Sequence, residues 1–232
     1  MEEAEFLSQI ALELNAELSM ESTAELIAEY ARLTTAADDS GLLFMRTHSS
    51  IETVAATSPR VVKLHEKQQE LDEGPCLSAL REDASYLIVD TKNEERWPRW
   101  CQGAAELGIR SALSIRLSSI TRTYGALNLY AETVETFGQA DLAVAQNFAR
   151  HASIAIASAY TQEGLQIAID ARTFVGQAQG ILMARYRISA DRAFEYLRRR
   201  SQQENVKLSD IAHDVIDKFP EDPVEPDDSV KP

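Results

Sequence analysis

Residues 177–201 read QAQGILMARYRISADRAFEYLRRRS. Apolar residues recur there at spacings of three and four beside three consecutive arginines, which predicts a pair of helices with a basic side. The periodicity breaks at Arg187 and Ile188. Ser189 then offers an N-cap for a second helix opening ADRAFEYL, with Asp191 in its first turn. On a wheel of about 100° per residue, Ala193, Phe194, Leu197 and Ser201 share one arc, the expected core face. Arg192, Glu195 and Arg199 lie opposite, with Glu195 and Arg199 in the favourable i,i+4 order, and Arg198 and Arg200 flank the core arc.

Towards the C-terminus, LSDIAHDVIDKF (208–219) predicts a third helix with Leu208, Ile211, Ala212, Val215, Ile216 and Phe219 as its apolar face. Pro220 and the acidic, proline-rich residues 221–232 predict a disordered tail. His213 sits beside Asp210, Asp214 and Asp217, a surface that would repel phosphate. Towards the N-terminus the helical pattern runs back to Gln139 without a decisive stop. Leu142, Ala145, Ala149, Ala152, Ile156 and Ala159 form one stripe, and Ile167, Ala171, Phe174, Ala178 and Ile181 a second. The small residues admit a close helical neighbour, and two readings stay open: one long helix packing on its own domain, or, favoured because the run exceeds what a small domain buries alone, a parallel coiled-coil homodimer contact that carries a signal along the helix. His151, within this run, has no kinase nucleotide motif beside it and reads as a surface or core histidine.

Before this run, SGLLFMRT (40–47), IETVAAT (51–57), SYLIVD (85–90), RSALSIRLS (110–118) and YGALNLYA (124–131) have strand character. The last two alternate apolar with polar residues and are close enough to pair as a hairpin. PRVVKLHEKQQELDEG and WPRWCQGAAELG read as helices, each ending in a glycine suited to a left-handed cap. Residues 2–37 predict one or two further helices broken near Asn15–Ser19, with Phe6, Ile10, Leu14, Leu26, Ile27, Tyr30 and Leu33 on the apolar side. The pattern is α+β: one mostly antiparallel sheet flanked by helices, a long connecting helix, and a C-terminal three-helix module. The expected boundaries are a sensor domain over 1–160, a basic module over 161–220, and the tail.

The chain of 232 residues carries 23 Lys+Arg against 37 Asp+Glu, a net charge of -14. That average opposes a nucleic-acid partner, but the acid is unevenly placed: residues 163–219 carry 9 basic and 8 acidic side chains. No apolar run reaches the roughly 20 residues of a membrane helix, and MEEAEFLSQIALEL is no secretory signal, so a cytoplasmic location away from membranes is expected. Two cysteines and four scattered histidines offer neither a disulfide framework nor a metal site. There is no P-loop, no G-x-S-x-G and no paired reactive cysteine, and no catalytic residue is expected.

The run AQGILMARYRISADRAFEYLRRRSQQENVKLSDIAHDVI resembles an ANTAR domain, the three-helix RNA-binding module of transcription antitermination regulators. The resemblance rests on Ala178, Gly180, Leu182, Met183, Ala193, Phe194, Leu197, Leu208, Ile211 and Ala212. DEGPCLSAL (72–80), GIRSALSIRL (108–117) and YGALNLYA are similar to a GAF domain. Together these imply a regulator that binds paired, adjacent RNA hairpins in mRNA leaders and so prevents a terminator hairpin. A small-molecule or protein signal would be received by the GAF-like half. Many ANTAR sequences have lysine where this chain has Gln179, which can hydrogen-bond a base but brings no charge. The implied RNA-binding set is Gln179, Gly180, Arg185, Tyr186, Arg187, Arg198, Arg199 and Lys207, with arginines for phosphate and Tyr186 for stacking. Candidate pocket-lining residues are Met45, Cys76, Leu87, Trp97 and Trp100; core packing explains them equally well, as it does Met183 and Phe194. Two alternatives remain at this point. One is a ligand-sensing DNA-binding factor, since LSDIAHDVI resembles the first helix of a helix-turn-helix. The other is a GAF-based redox enzyme using Cys76.

Overall fold

The structure, a computed structural model, describes residues 10, 12–14, 19–47, 50–82 and 84–218. The expected helix start over residues 2–9, most of the break after Asn15, Phe219 and the tail over 221–232 lie outside the described residues. The chain forms two compact units, Met1–Glu163 and Gly164–Pro232.

In the first unit, α1 (Met20–Thr34) is capped by Ser19, whose Oγ accepts the Ser22 N–H at 3.1 Å. There follow β1 (Asp39–Thr47), β2 (Ser50–Ala56), α2 (Pro59–Leu71), α3 (Pro75–Glu82), β3 (Ser85–Ile88), α4 (Pro98–Glu106), β4 (Ser111–Ser118), β5 (Thr123–Ala131) and α5 (Gln139–Tyr186), which extends past this unit. Pro59 and Pro98 open α2 and α4, where the missing N–H has no intrahelical partner to lose. Gly108 follows α4 at φ +85, as its sequence position predicts. The left-handed cap of α2, however, is Asp72 at φ 50, whose N–H reaches the Gln68 and Gln69 carbonyls, with Gly74 two residues beyond.

The five strands make one antiparallel sheet in the order β2-β1-β5-β4-β3, and the β4–β5 hairpin forms as expected. Helices cover both faces of β4 and β5. Odd positions Leu113, Ile115, Leu117, Leu127 and Leu129 share a core with α1 and α5. Even positions face the other way: Ala112 and Tyr130 pack with Val61, Leu64 and Trp100 of α2 and α4. Ser114 and Asn128, opposite one another in register, are buried on that side. The small-residue stripe Ala145, Ala149, Ala152, Ile156 and Ala159 belongs to the first of these cores. It is therefore not the dimer seam expected of it: small side chains let α5 lie close on its own sheet.

The second unit contains the remainder of α5 with α6 (Ala190–Glu204) and α7 (Leu208–Lys218). Ala178, Leu182, Ala193, Leu197, Ile211, Ala212 and Val215 form its core, with Phe174 and Ile181 partly buried against it. Phe174, Ala178 and Ile181 of the second stripe on α5 are thus also used within the chain, whereas Ile167 is exposed and Ala171 lies outside that core. Among the described residues no helix is long and apolar enough to cross a membrane.

Candidate RNA interface and sensor core

Arg187 ends α5 in the left-handed region at φ 52, and the Ser189 hydroxyl accepts the Arg192 N–H at 3.4 Å to start α6. The break read from sequence is this two-residue elbow. Asn205, also left-handed at φ 53, ends α6, and the Ser201 hydroxyl donates to the Val206 carbonyl at 2.6 Å across the turn.

Polar pairs within the unit decide which cations remain open. Arg200 bridges Glu204 at 2.6 Å and Asp214 at 2.5 Å, joining α6 to α7. Hydrogen bonds from Lys218 and then Arg200 hold the Asp214 carboxyl below its usual range. Arg198 pairs with Glu195 at 2.8 Å, an i,i+3 contact in place of the expected Glu195–Arg199 pair. Helix geometry allows either, and this exposed pair is weak enough for phosphate to displace. Arg187, Arg192, Arg199 and Lys207 are exposed and have no ion pair among the described residues. Tyr186 is 57% exposed, and Arg185 is exposed beside it.

Gln179 Nε2 donates to the Ala190 carbonyl at 2.9 Å, so the side chain ties α5 to the first residue of α6. Gly180 is exposed, and a Cβ there would meet nothing within 4 Å. No close approach within the described chain requires glycine at this position.

In the first unit, the five expected lining residues do not form one constellation. Trp97 and Trp100 sit in the core between α2, α4 and the sheet; the Trp100 indole donates to the Leu64 carbonyl at 3.2 Å and that of Trp97 to the Ser78 hydroxyl at 3.0 Å. Leu87 packs on the opposite face with the α1–α5 core, Met45 is half-buried on β1, and Cys76 packs with Leu43 and Ala126.

What gathers around Cys76 is polar, and a search of the sequence for apolar lining residues misses it. Asn128 Nδ2 lies 3.4 Å from His65 Nε2 and 3.5 Å from Cys76 Sγ, while its Oδ1 accepts the Ser114 hydroxyl at 2.7 Å. His65 Nδ1 lies 3.1 Å from the Thr53 hydroxyl. The pattern fits the neutral imidazole carrying its proton on Nδ1, an assignment made from the network. Gln68 Oε1 accepts the Cys76 N–H at 2.9 Å. The Gln68 Nε2 and Tyr130 hydroxyl are buried with no hydrogen-bond partner among the described residues. Burial pushes the Cys76 thiol up to about 12, against the opposing Asn128 contact, and raises the Tyr130 phenol well above its ordinary value.

The sequence model of the GAF domain matches residues 17–157, more than half the chain, and that of the ANTAR domain matches residues 163–216. This is a GAF–ANTAR protein. No curated protein matches its sequence. Among solved structures it is similar to a bacteriophytochrome from R. palustris at TM-score 0.60 and 12% identity, over 78% of this chain and 42% of that one. It is also similar to free methionine-R-sulfoxide reductase from Neisseria meningitidis (TM-score 0.54, 16% identity, 67% of this chain and 88% of that one) and to the GAF domain of a phosphoenolpyruvate-protein phosphotransferase from Coxiella burnetii (0.54, 20%, 69% and 96%). At such identities the likenesses establish the fold alone. The GAF–ANTAR protein therefore has the architecture of a regulator, a sensor-type domain followed by an RNA-binding antitermination module.

The buried histidine gives the GAF domain of this GAF–ANTAR protein a pH signature. Burial lowers the His65 pKa from 6.5 to about 3. The unfolded chain then binds a proton that the folded domain refuses between these values, so stability is full above pH about 6.5 and falls as pH drops towards 3. Paired carboxylates such as Glu73, whose pKa is lowered, contribute their own loss only below about 4.5. The melting temperature of the GAF domain is expected to fall between pH 6.5 and 5 in the wild type and to stay flat there in His65→Asn. An equal fall in both proteins would exclude His65 as the cause.

Proposed function

We propose that this protein is a non-enzymatic, homodimeric antitermination regulator whose ANTAR domain binds paired hairpins in nascent transcripts when its GAF domain has received a signal. The observation that carries the RNA reading is the exposed set Arg187, Arg192, Arg199 and Lys207, unpaired among the described residues in a chain of net charge -14. Cations left without acidic partners in so acidic a chain suit an external polyanion. Unpaired loop bases with aromatic and arginine neighbours are how proteins commonly read RNA. The DNA-binding alternative has less support, because α7 carries acidic groups and no basic recognition helix follows it among the described residues. The redox-enzyme alternative is disfavoured by the buried Cys76, a thiol and not a thiolate at neutral pH.

The test is binding of the full chain to a transcript with two adjacent hairpins across a salt series, beside duplex DNA of equal length. RNA is expected to bind more tightly than DNA. In Arg198→Ala/Arg199→Ala, affinity is expected to fall about tenfold or more and the log–log salt slope to flatten by about one unit or more. Equal binding to both nucleic acids, or no binding at any salt, would remove the antitermination reading.

For the dimer, support comes from a different face of α5 from the stripes read in the sequence. Val144, Asn147, His151, Ile154, Ser158 and Thr161 recur at alternating spacings of three and four, and all are exposed or half-exposed. That is the register of a two-stranded coiled coil. Val144 and Ile154 are its apolar members, while the polar residues among them would fix register at a cost in stability, so a modest association is expected. Light scattering is expected to give a dimer for the wild type and a monomer for Ile154→Glu, since Ile154 is 62% exposed and its replacement disturbs no internal packing. A monomeric wild type would end the dimer reading. For the signal, the polar cluster of His65, Gln68, Cys76, Asn128 and Tyr130 favours a small hydrogen-bonding molecule.

A further inference from the structure

Phe194 departs from its place on the predicted core arc. In a three-helix unit whose core is filled by Ala193 and Leu197 from the same helix, the Phe194 ring remains 41% exposed. It forms one wall of a hollow of about 400 Å³ with Ala171, Arg172 and Val175 of α5 and Leu208 and Ser209 of α7. The hollow is apolar except at its rim. There Arg172 is exposed and has no hydrogen bond or ion pair among the described residues, and the Ser209 hydroxyl, which donates to Asp210 at 3.2 Å, keeps its lone pairs available as acceptors.

A concave apolar surface holding an aromatic wall and a lone guanidinium has few suitable occupants. An aliphatic side chain would use the floor and leave Arg172 uncompensated. A second copy of this chain in a two-fold contact centred on the hollow would bring another Arg172 towards the first. An unpaired nucleobase satisfies every feature: its ring stacks on Phe194, its exocyclic amine can donate to Ser209, and its phosphate neutralises Arg172. We propose that this hollow is a base-binding site of the ANTAR domain, receiving one unpaired loop base by stacking on Phe194 with its phosphate against Arg172. The inference rests on the RNA-binding reading above and adds to it the place where loop identity is sensed.

The experiment compares two probes on the full chain: a transcript with two adjacent hairpins, and the same transcript with abasic loops. Wild-type protein is expected to bind the abasic form more weakly. Phe194→Leu keeps the apolar filling without the π-face and is expected to weaken binding of the intact transcript by about 5- to 150-fold, the range of one lost base stack, while leaving the abasic form unchanged. Phe194→Tyr, which restores the ring, is expected to recover wild-type binding, and Arg172→Gln to lower the salt slope for the intact probe. Far-UV melting curves establish that each variant is folded. Intact-probe binding by Phe194→Leu equal to wild type, or an equal loss on both probes, would overturn the base site and leave the RNA-binding reading standing. No wild-type binding to either probe would overturn both.

Discussion

Replacing Gly125 with alanine is expected to unfold the GAF domain or to destabilise it by at least the ~1–3 kcal/mol that overpacking a core costs. Gly125 lies on β5, with Phe44 of β1 on one side and Leu117 of β4 on the other. A Cβ at this position would stand 1.9 Å from the Leu43 carbonyl oxygen and 3.0 Å from the Phe44 Cα. Both obstacles are backbone, so no side-chain rotation relieves the clash, and the β1–β5 pairing has to shift. Against a typical domain stability of about 5–15 kcal/mol this is a large fraction. The chain's two tryptophans, Trp97 and Trp100, are both in this domain, so tryptophan emission during urea titration reports on it specifically. Gly164→Ala is the control: nothing lies within 4 Å of a Cβ there, and the change is expected to be neutral or to stabilise by up to about 1 kcal/mol. A wild-type urea midpoint for Gly125→Ala would refute the close strand approach.

The second large effect is expected from Leu197→Ala. Leu197 is fully buried in an ANTAR core that, among the described residues, has seven buried members, four of them leucine, isoleucine or valine. A leucine truncation in a core costs about 2–5 kcal/mol, while a single core in a unit below about 70 residues rarely supplies more than about 3–5 kcal/mol. The variant should lose far-UV helical signal and RNA binding together, while tryptophan emission stays native because the GAF domain is untouched. Retained hairpin affinity would mean that binding does not need the folded three-helix unit. Loss of native emission would mean that the two domains do not fold independently.

The strand and helix segments are legible because their periodicities are local properties of the sequence. All five strands, the Ser189 cap and the Arg187 break fall where period and capping chemistry put them. Periodicity shows that a face will be covered, but not by what. The Ala145–Ala159 stripe reads as a contact with a second chain and proves to lie on its own sheet. The outward register through Val144 and Ile154 is masked in the sequence by the polar residues that share it, Asn147, His151, Ser158 and Thr161. Likewise, alternation in the strands does not reveal that helices close both faces and bury polar Ser114 and Asn128.

In the second unit a helical wheel gives direction without depth: it sets Phe194 on the core arc, yet neighbours reach only part of its ring. Nor does any local pattern announce that Gln179 has a partner eleven residues away, the Ala190 carbonyl. The signal that could find the His65–Asn128 cluster is present as polar residues at even positions of a strand flanked by two helical segments.

The division of β4 and β5, over residues 112–115 and 127–130, into odd and even positions also bears on how such a protein can diversify. Residues 114, 128 and 130 face the polar cluster, while 113, 115, 127 and 129 hold α1 and α5. If the polar cluster holds the signal molecule proposed above, substitutions at the even positions 114, 128 and 130 change that site without touching the packing that seats α5. A lineage could exchange one stimulus for another through a few side chains and inherit its output apparatus intact.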